Sequence, residues 1–366
     1  MEIKNKIITC FIDSLSSGGA ELQMSYLCDF LYDKGYDITL VTFGDVKDLH
    51  HVNENIKRVR LCQGGSRKSK VFSIFKYFAT CKTDVVISFG QRENLLCIIP
   101  LCIRRKIKVI AGERNFTVGT PDRIEKLLNN YFYHRATFVV PNSYSQGKHL
   151  YTYKSYLKKK VKTITNYTDL ALYNPKELPG GSTKMVGIFC RYDLQKNYER
   201  FAYAVKLLKS KVTEPFMFVW YGDKTFLGRE NHMYVEFKSL VEKLGIGDVL
   251  KLEDHVLDVK SELDKYDIIC LPSLHEGFSN SIAEAICCGK PMMVSNVSDN
   301  SVMVHNNENG VLFNPLDVDD MASSMATLIK KSPAELKEMA KASRTIAESL
   351  FNKEKFINSY IEIIES

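Results

Sequence analysis

The chain has 366 residues, 45% of them hydrophobic and 11% aromatic, enough for two domains with substantial cores. No stretch approaches the roughly eighteen unbroken apolar residues of a helical membrane span. The opening MEIKNKIITCFIDSL has too short an apolar run and no small-residue cleavage site, which argues against a signal peptide. The net charge of +7 is unevenly spread: residues 1–180 hold 28 Lys and Arg against 16 Asp and Glu, and residues 181–366 hold 22 against 27. The basic excess concentrates at Arg67–Lys70, Arg104–Lys108 and Lys158–Lys162. Solvated surface faces explain such tracts as readily as an anionic partner does. If a partner is involved, the absence of a nucleic-acid recognition module favours a membrane surface or a phosphorylated substrate. Ten cysteines, none spaced C-x-x-C and most in apolar runs (Cys10, Cys97, Cys102, Cys190, Cys270), read as small buried hydrophobes in a reducing cytoplasm. Zinc spacing is absent.

Along the chain, short β-branched runs alternate with helical spacing. IITCFID, DITLVTF, DVVISFG, KVIAGER, TFVVPNS and KTITNY read as strands; AELQMSYLCDFLYDKG and IEKLLNNYFYHRA read as helices between them. After NYTDLALYNPKELPGGSTK the pattern resets, with strands MVGIFCR, FMFVWYG, VLKLED, DIICLPS, PMMVSN and GVLFNP and helices between them. The expectation is two doubly wound, Rossmann-like α/β domains, residues 1–170 and 171–351, with the closing helix 352–366 docking back on the first. Ligands of such sheets bind beyond the carboxyl ends of the strands, so two facing domains would hold one in a cleft.

The stretch HEGFSNSIAEAICCGKP, following the strand DIICLPS, carries two glutamates eight apart, Glu276 and Glu284. Glu276 falls in a loop at a strand end, and Glu284 in the first turn or so of a helix with Asn280 as its N-cap and Gly289 beyond its end. The free N–H groups at Ser281 to Ala283 would suit a phosphate. Carboxylates beside a phosphate suit hydroxyl donors, such as a ribose on one side and a sugar on the other. Taken alone, the pair is equally explained by Glu284 favouring the helix N-terminus, worth ~0.3–1 kcal/mol.

CRYDLQKNYERF adds Arg191 at a strand end and Lys196 before a helix, cations placed to neutralise a leaving diphosphate. SLSSGGAELQ follows the first strand and opens a helix, where Gly18 and Gly19 would allow close backbone approach to an anion. It is neither a G-x-G-x-x-G turn nor a Walker loop, so a dinucleotide oxidoreductase is a distant alternative.

Together, GGAE at Gly18–Glu21, R-x4-K-N at Arg191 with Lys196–Asn197, and E-G-F-x5-E-A at Glu276–Ala285 resemble glycosyltransferase family 4 on the two-domain GT-B fold. PNSYSQ, TITNYTD and GVLFNPLDVDDMA extend the resemblance over nearly the whole chain. It implies that Glu284 holds the nucleotide ribose and Glu276 the donor sugar. Arg191 and Lys196 would bind the diphosphate, with the amides around Phe278, Ser279, Asn280 and Ser281 and the Gly18–Gly19 turn. It also implies transfer with retention and no obligatory metal; Asp317–Val318–Asp319 reads as a helix start rather than a metal motif.

Where many members carry a first-domain histidine, KVIAGERN delivers Glu113, Arg114 and Asn115, similar to the ERN-type branch that often acts in capsule, O-antigen or lipid-linked oligosaccharide assembly. The expected donor is a UDP-sugar, with GDP as runner-up, and the expected acceptor a glycan or polyprenyl-diphosphate-linked glycan. The location implied is cytoplasmic, peripheral on an anionic membrane face, without nucleic acid. A nucleotide-sugar-hydrolysing epimerase of the same fold is the nearest alternative, and a basic nucleic-acid-binding protein the alternative of another class.

Overall fold

The computed structural model describes residues 6–16, 18–61, 64–114, 126–153, 155–226 and 228–366. It divides into two compact units, Met1–Tyr167 with Lys353–Ser366, and Thr168–Asn352.

The first unit is built on a parallel six-stranded sheet: β1 (Ile7–Phe11), β2 (Asp37–Thr42), β3 (Lys57–Arg60), β4 (Val85–Phe89), β5 (Lys108–Glu113) and β6 (Phe138–Pro141), in the order β3-β2-β1-β4-β5-β6. β4 is buried throughout and β1 and β5 are buried beyond their first residue, as expected of strands covered by helices on both faces. The closing helix Lys353–Glu365 belongs to this unit and buries Phe356, Ile357, Tyr360, Ile363 and Ile364 in its core. Its carboxyl end is met by cations: Lys108 Nζ donates to the carbonyls of Ile363 (3.2 Å) and Ile364 (2.9 Å), and Lys6 pairs with Glu365 at 2.6 Å.

Three local expectations are corrected here. β3 was not anticipated, because KRVR is a mostly exposed edge with one apolar residue. KTITNY is not a strand: Ile164 N donates to Pro141 O, but at Tyr167 the side chain of Gln23 takes both backbone groups, at 2.7 Å each. The helix expected over IEKLLNNYFYHRA is, within its described residues, widened into a π-turn at Leu128–Phe132 and ends at Tyr133.

The second unit repeats the plan. A hairpin, β9 (Thr225–Phe226) with β10 (Arg229–Glu230), stands apart from a parallel sheet of β7 (Lys184–Phe189), β8 (Phe216–Gly222), β11 (Leu250–Asp254), β12 (Ile268–Leu271), β13 (Met292–Ser295) and β14 (Gly310–Phe313). The order β11-β8-β7-β12-β13-β14 places the topological switch between β7 and β12, where the loops from neighbouring strands part and leave room for a ligand.

Candidate active site

The carboxyl ends of β7 and β12 deliver the residues singled out above. After β7 the chain passes Cys190 and Arg191 into a short 3-10 turn, Leu194–Lys196, and then a helix, Tyr198–Lys211. Asn197 joins the two in the left-handed conformation (φ 60°), and its amide donates to Pro272 O (3.1 Å) and Pro315 O (2.8 Å). Asn197 thereby ties the Lys196 turn to the loop leaving β12. Gln195 ties it again, accepting from Leu274 N and donating to His275 O, both at 2.8 Å.

These ties bring Lys196 Nζ to 2.6 Å from Glu276 Oε1, with both side chains about nine-tenths buried. Ser298 holds the same glutamate by its backbone, donating to Glu276 O at 2.5 Å and lying 3.3 Å from Glu276 N. Ser298 is itself left-handed (φ 49°), an unusual conformation for serine, in a loop that no spacing in the sequence flagged. Arg191 is exposed and makes no hydrogen bond or ion pair among the described residues. Burial pushes the Cys190 thiol up to about 12, and Lys196, Glu276, Arg191 and Asp193 all act on it electrostatically.

The helix Asn280–Cys287 follows, and its cap corrects the expectation. Ser279, not Asn280, is the N-cap, its hydroxyl accepting from Ile282 N. Ala283 N is bonded to Ser279 O. Of the amides expected to be free at Ser281 to Ala283, only that of Ser281 remains so among the described residues, while the Ser281 hydroxyl donates to Phe189 O at 3.1 Å. Phe278 is buried against Phe351, with ring centroids 6.0 Å apart, and shapes the loop from beneath.

Glu284, in the second turn, shares a recess of about 150 Å³ with Arg191, Ser281, Tyr221, Asp223 and His255. Burial pushes its carboxyl up to about 7, opposed by a hydrogen bond from Tyr173. Tyr221 and Asp223 were missed as site residues; they lie at the end of β8, and only the sheet order puts that strand end beside β7. His255 Nδ1 lies 3.0 Å from Asp223 Oδ1.

In the first unit, Gly18 caps the helix Gly19–Asp33. A Cβ at Gly18 would collide with the Glu21 carboxylate, which folds back over the turn. Gly90, at φ 111°, is crowded in the same way by Glu93. Burial raises both carboxyls, with the Asp13 charge a further cause. The Glu21 carboxylate thus lies over the glycine turn.

Glu113 is buried, with Asn94 Nδ2 at 3.4 Å from its Oε1. Arg114 is buried in structural contacts: it donates to Asn166 Oδ1 (3.2 Å) and the Tyr360 hydroxyl (2.6 Å) and lies 3.7 Å over the Phe89 ring. Asn115 lies outside the described residues. His50, also unforeseen, is half-buried with Nε2 lacking a partner among the described residues. Several cations of the basic tracts are committed: Lys70 to Asp45, Arg104 to Phe78 O, and Lys160 to the carbonyls of His134 and Ala136. Among the described residues no cluster of three or more His, Cys, Asp or Glu could hold a metal, and no helix is long and apolar enough to cross a membrane.

Residues 173–346 match the family model described as Glycosyl transferases group 1. A Campylobacter jejuni protein named GalNAc-alpha-(1->4)-GalNAc-alpha-(1->3)-diNAcBac-PP-undecaprenol alpha-1,4-N-acetyl-D-galactosaminyltransferase is 25% identical over 291 residues, 76% of each chain. An uncharacterized glycosyltransferase of Haemophilus influenzae is 24% identical over 95% of this chain and 97% of its own. The structure of Anabaena HepE in complex with UDP and glucose superposes with a TM-score of 0.80 at 18% identity, over 99% of this chain and all of the other. The fold shared with such structures is GT-B, as the sequence pattern led us to expect.

Proposed function

We propose that this chain, a glycosyltransferase with a group 1 domain, moves a sugar from a UDP-sugar to a lipid-diphosphate-linked glycan with retention of configuration. The observation that carries the reading is the buried Lys196–Glu276 pair at the β7–β12 switch point, together with the recess at the end of β7 that holds Glu284 and Arg191, a guanidinium unpaired among the described residues. In this reading Glu284 accepts from the ribose hydroxyls and Glu276 from those of the donor sugar. Arg191, Lys196 and the Ser281 amide meet the diphosphate. The Gly18–Gly19 turn is kept as a donor-binding element.

As the bond from the sugar's anomeric carbon to the phosphate oxygen breaks, positive character grows on the sugar and negative charge on the leaving diphosphate. The two cations stabilise that charge, and losing one such group costs about 2.7–4 kcal/mol in the barrier. The acceptor hydroxyl forms the new bond on the same face and passes its proton to the departing phosphate, so Glu276 need not become a covalent nucleophile. Glu113, Arg114 and Asn115 remain the proposed first-unit contributors, Arg114 acting through the structure it holds.

The UDP donor is supported by the bound UDP of HepE, and the lipid-linked acceptor by the undecaprenol-diphosphate glycan in the Campylobacter relative's name. Capsule or O-antigen assembly is the setting we favour. On the first unit, the helix Arg67–Thr80 exposes Val71 and Phe72 beside Arg67 and Lys68, a surface suited to an anionic membrane face.

The test is a thermal-shift screen of UDP, GDP, ADP and CMP on the wild type and Glu284→Ala, followed by incubation of the stabilising nucleotide's sugar with and without a polyprenyl-diphosphate glycan. Stabilisation by UDP that the variant loses, with transfer only when acceptor is present, supports the reading. Free sugar released at the same rate without acceptor would instead mean hydrolysis. No shift with any nucleotide would overturn the donor site.

A further inference from the structure

A second recess in the same unit has no part in the site above. It occupies about 650 Å³, the size of a small-molecule pocket, between the segment 175–180 and the helix Pro333–Leu350. Lys184, Asp267 and Gly289 place it at the amino ends of β7, β12 and β13. Arg191 lies beyond the opposite end of β7, about 20 Å away at the rise of a strand.

Its walls are mainly apolar, from Pro175, Leu178, Leu336 and Ala340. They are also fixed in place. Asp267 accepts from the backbone N–H groups of Gly180 and Met185 at 2.9 Å each, and Lys176 pairs with Asp264 at 2.6 Å. Arg344 donates to the carbonyls of Tyr173 and Cys287, and Ser343 to Lys290 O.

Two cations at this recess are uncommitted. Lys184, the first residue of β7, is 8% exposed, and its ammonium makes no hydrogen bond or ion pair among the described residues. Lys337, exposed at the rim, is likewise unpaired among them. Against these stand Glu177, which is exposed, and Asp267, whose oxygens are already engaged by the backbone. The Lys184 side chain is largely buried while its ammonium has no protein partner among the described residues, so an anion bound in the recess would supply one.

We propose that this recess binds a single-chain amphiphile: an apolar body along Leu178, Leu336 and Ala340, and one carboxylate or phosphate head on Lys184 and Lys337. A neutral apolar molecule would leave the ammonium unpaired, and a bare anion would leave the apolar walls uncovered.

The test is calorimetric titration of the full chain with decanoate and with decyl phosphate, each below micelle formation, with decanol and inorganic phosphate as the body-only and head-only controls. One saturable site for either amphiphile, with both controls much weaker, is expected; which of the two binds tighter identifies the head. Lys184→Met should weaken binding by at least about tenfold, since it removes a charged partner of the anionic head. Ala340→Trp, which fills the recess, should abolish binding, and UDP should not displace the probe. Any one of four results overturns the proposal: no saturable site, equal binding of decanol and decanoate, unchanged affinity in Lys184→Met, or displacement by UDP.

Discussion

Lys196 and Glu276, eighty residues apart, form a 2.6 Å ion pair in which each side chain is about nine-tenths buried. Removing either partner leaves the other charged and dry, so Lys196→Ala should cost about 3 kcal/mol of stability. The double variant Lys196→Met with Glu276→Gln removes both charges and should recover most of that loss. Activity should not follow: in both proteins the leaving diphosphate lacks its cation, and the turnover rate should fall by about 100- to 1000-fold. Urea denaturation read beside turnover separates the two effects. Recovery of turnover together with stability would assign the pair to structure alone.

Glu284 links the site to pH. Its carboxyl ordinarily titrates at 4.5 and is held at about 7 in the fold, so the folded state keeps a proton that the unfolded chain releases. Stability from this group is therefore complete below pH 4.5, falls as pH rises towards about 7, and is constant above. Glu284→Gln is neutral throughout. Its stability relative to wild type should grow across that window by up to about 3 kcal/mol, measured by denaturation at about pH 5 and about pH 8. Affinity for a nucleotide-sugar, whose diphosphate does not titrate there, should rise in wild type over the same window as the carboxylate becomes available to the ribose hydroxyls. The variant should bind weakly and without that slope. An equal effect of the substitution at both pH values would show that Glu284 is not held as a neutral acid.

The parts of the site that were legible in sequence are those whose meaning is local. A buried strand, a glutamate in the loop after it and a second glutamate one helical segment on are read from neighbouring residues, as is the Arg191–Lys196 spacing. What was not legible depends on partners far along the chain. Ser279 and Asn280 are both good caps, and only the reach of the Ser279 hydroxyl to Ile282 N chooses between them. Asp223 and His255 enter the recess because β8 lies beside β7 and β11 beside β8, an ordering that no spacing states. KTITNY has strand composition, but Gln23 takes the Tyr167 backbone from 144 residues away. At Gly18, the contact of the Glu21 carboxylate three residues on depends on a side-chain conformation that the glycine spacing does not state.

Arg114 gives a test of position against chemistry. Its guanidinium holds Asn166 and the Tyr360 hydroxyl of the closing helix and lies over Phe89. Tyr360→Phe deletes one of these bonds and should cost about 1–3 kcal/mol, since the guanidinium loses a buried acceptor. Arg114→Met should cost more, and amide exchange should quicken across Lys353–Glu365 in both variants while the second unit keeps its protection. If Arg114→Met abolished transfer with the closing helix still protected, the arginine would act on substrate directly.

The helix Arg67–Thr80 carries the last prediction. Phe72 is 70% exposed and Val71 37%, beside Arg67 and Lys68, while Ile74 and Phe78 anchor the other face in the core. An exposed apolar pair flanked by cations that are unpaired among the described residues matches a headgroup boundary, where each basic residue adds about 1 kcal/mol and the attraction is screened by salt. Flotation with phosphatidylglycerol vesicles should recover the protein at low salt and lose it at high salt or on neutral phosphatidylcholine. Arg67→Ala with Lys68→Ala should reduce recovery by about tenfold or more, at about 1 kcal/mol for each charge, without lowering the melting temperature. Phe72→Asp should act at any salt concentration, because it removes the apolar contact and adds repulsion. Undiminished binding in both variants would move the membrane-facing surface away from this helix.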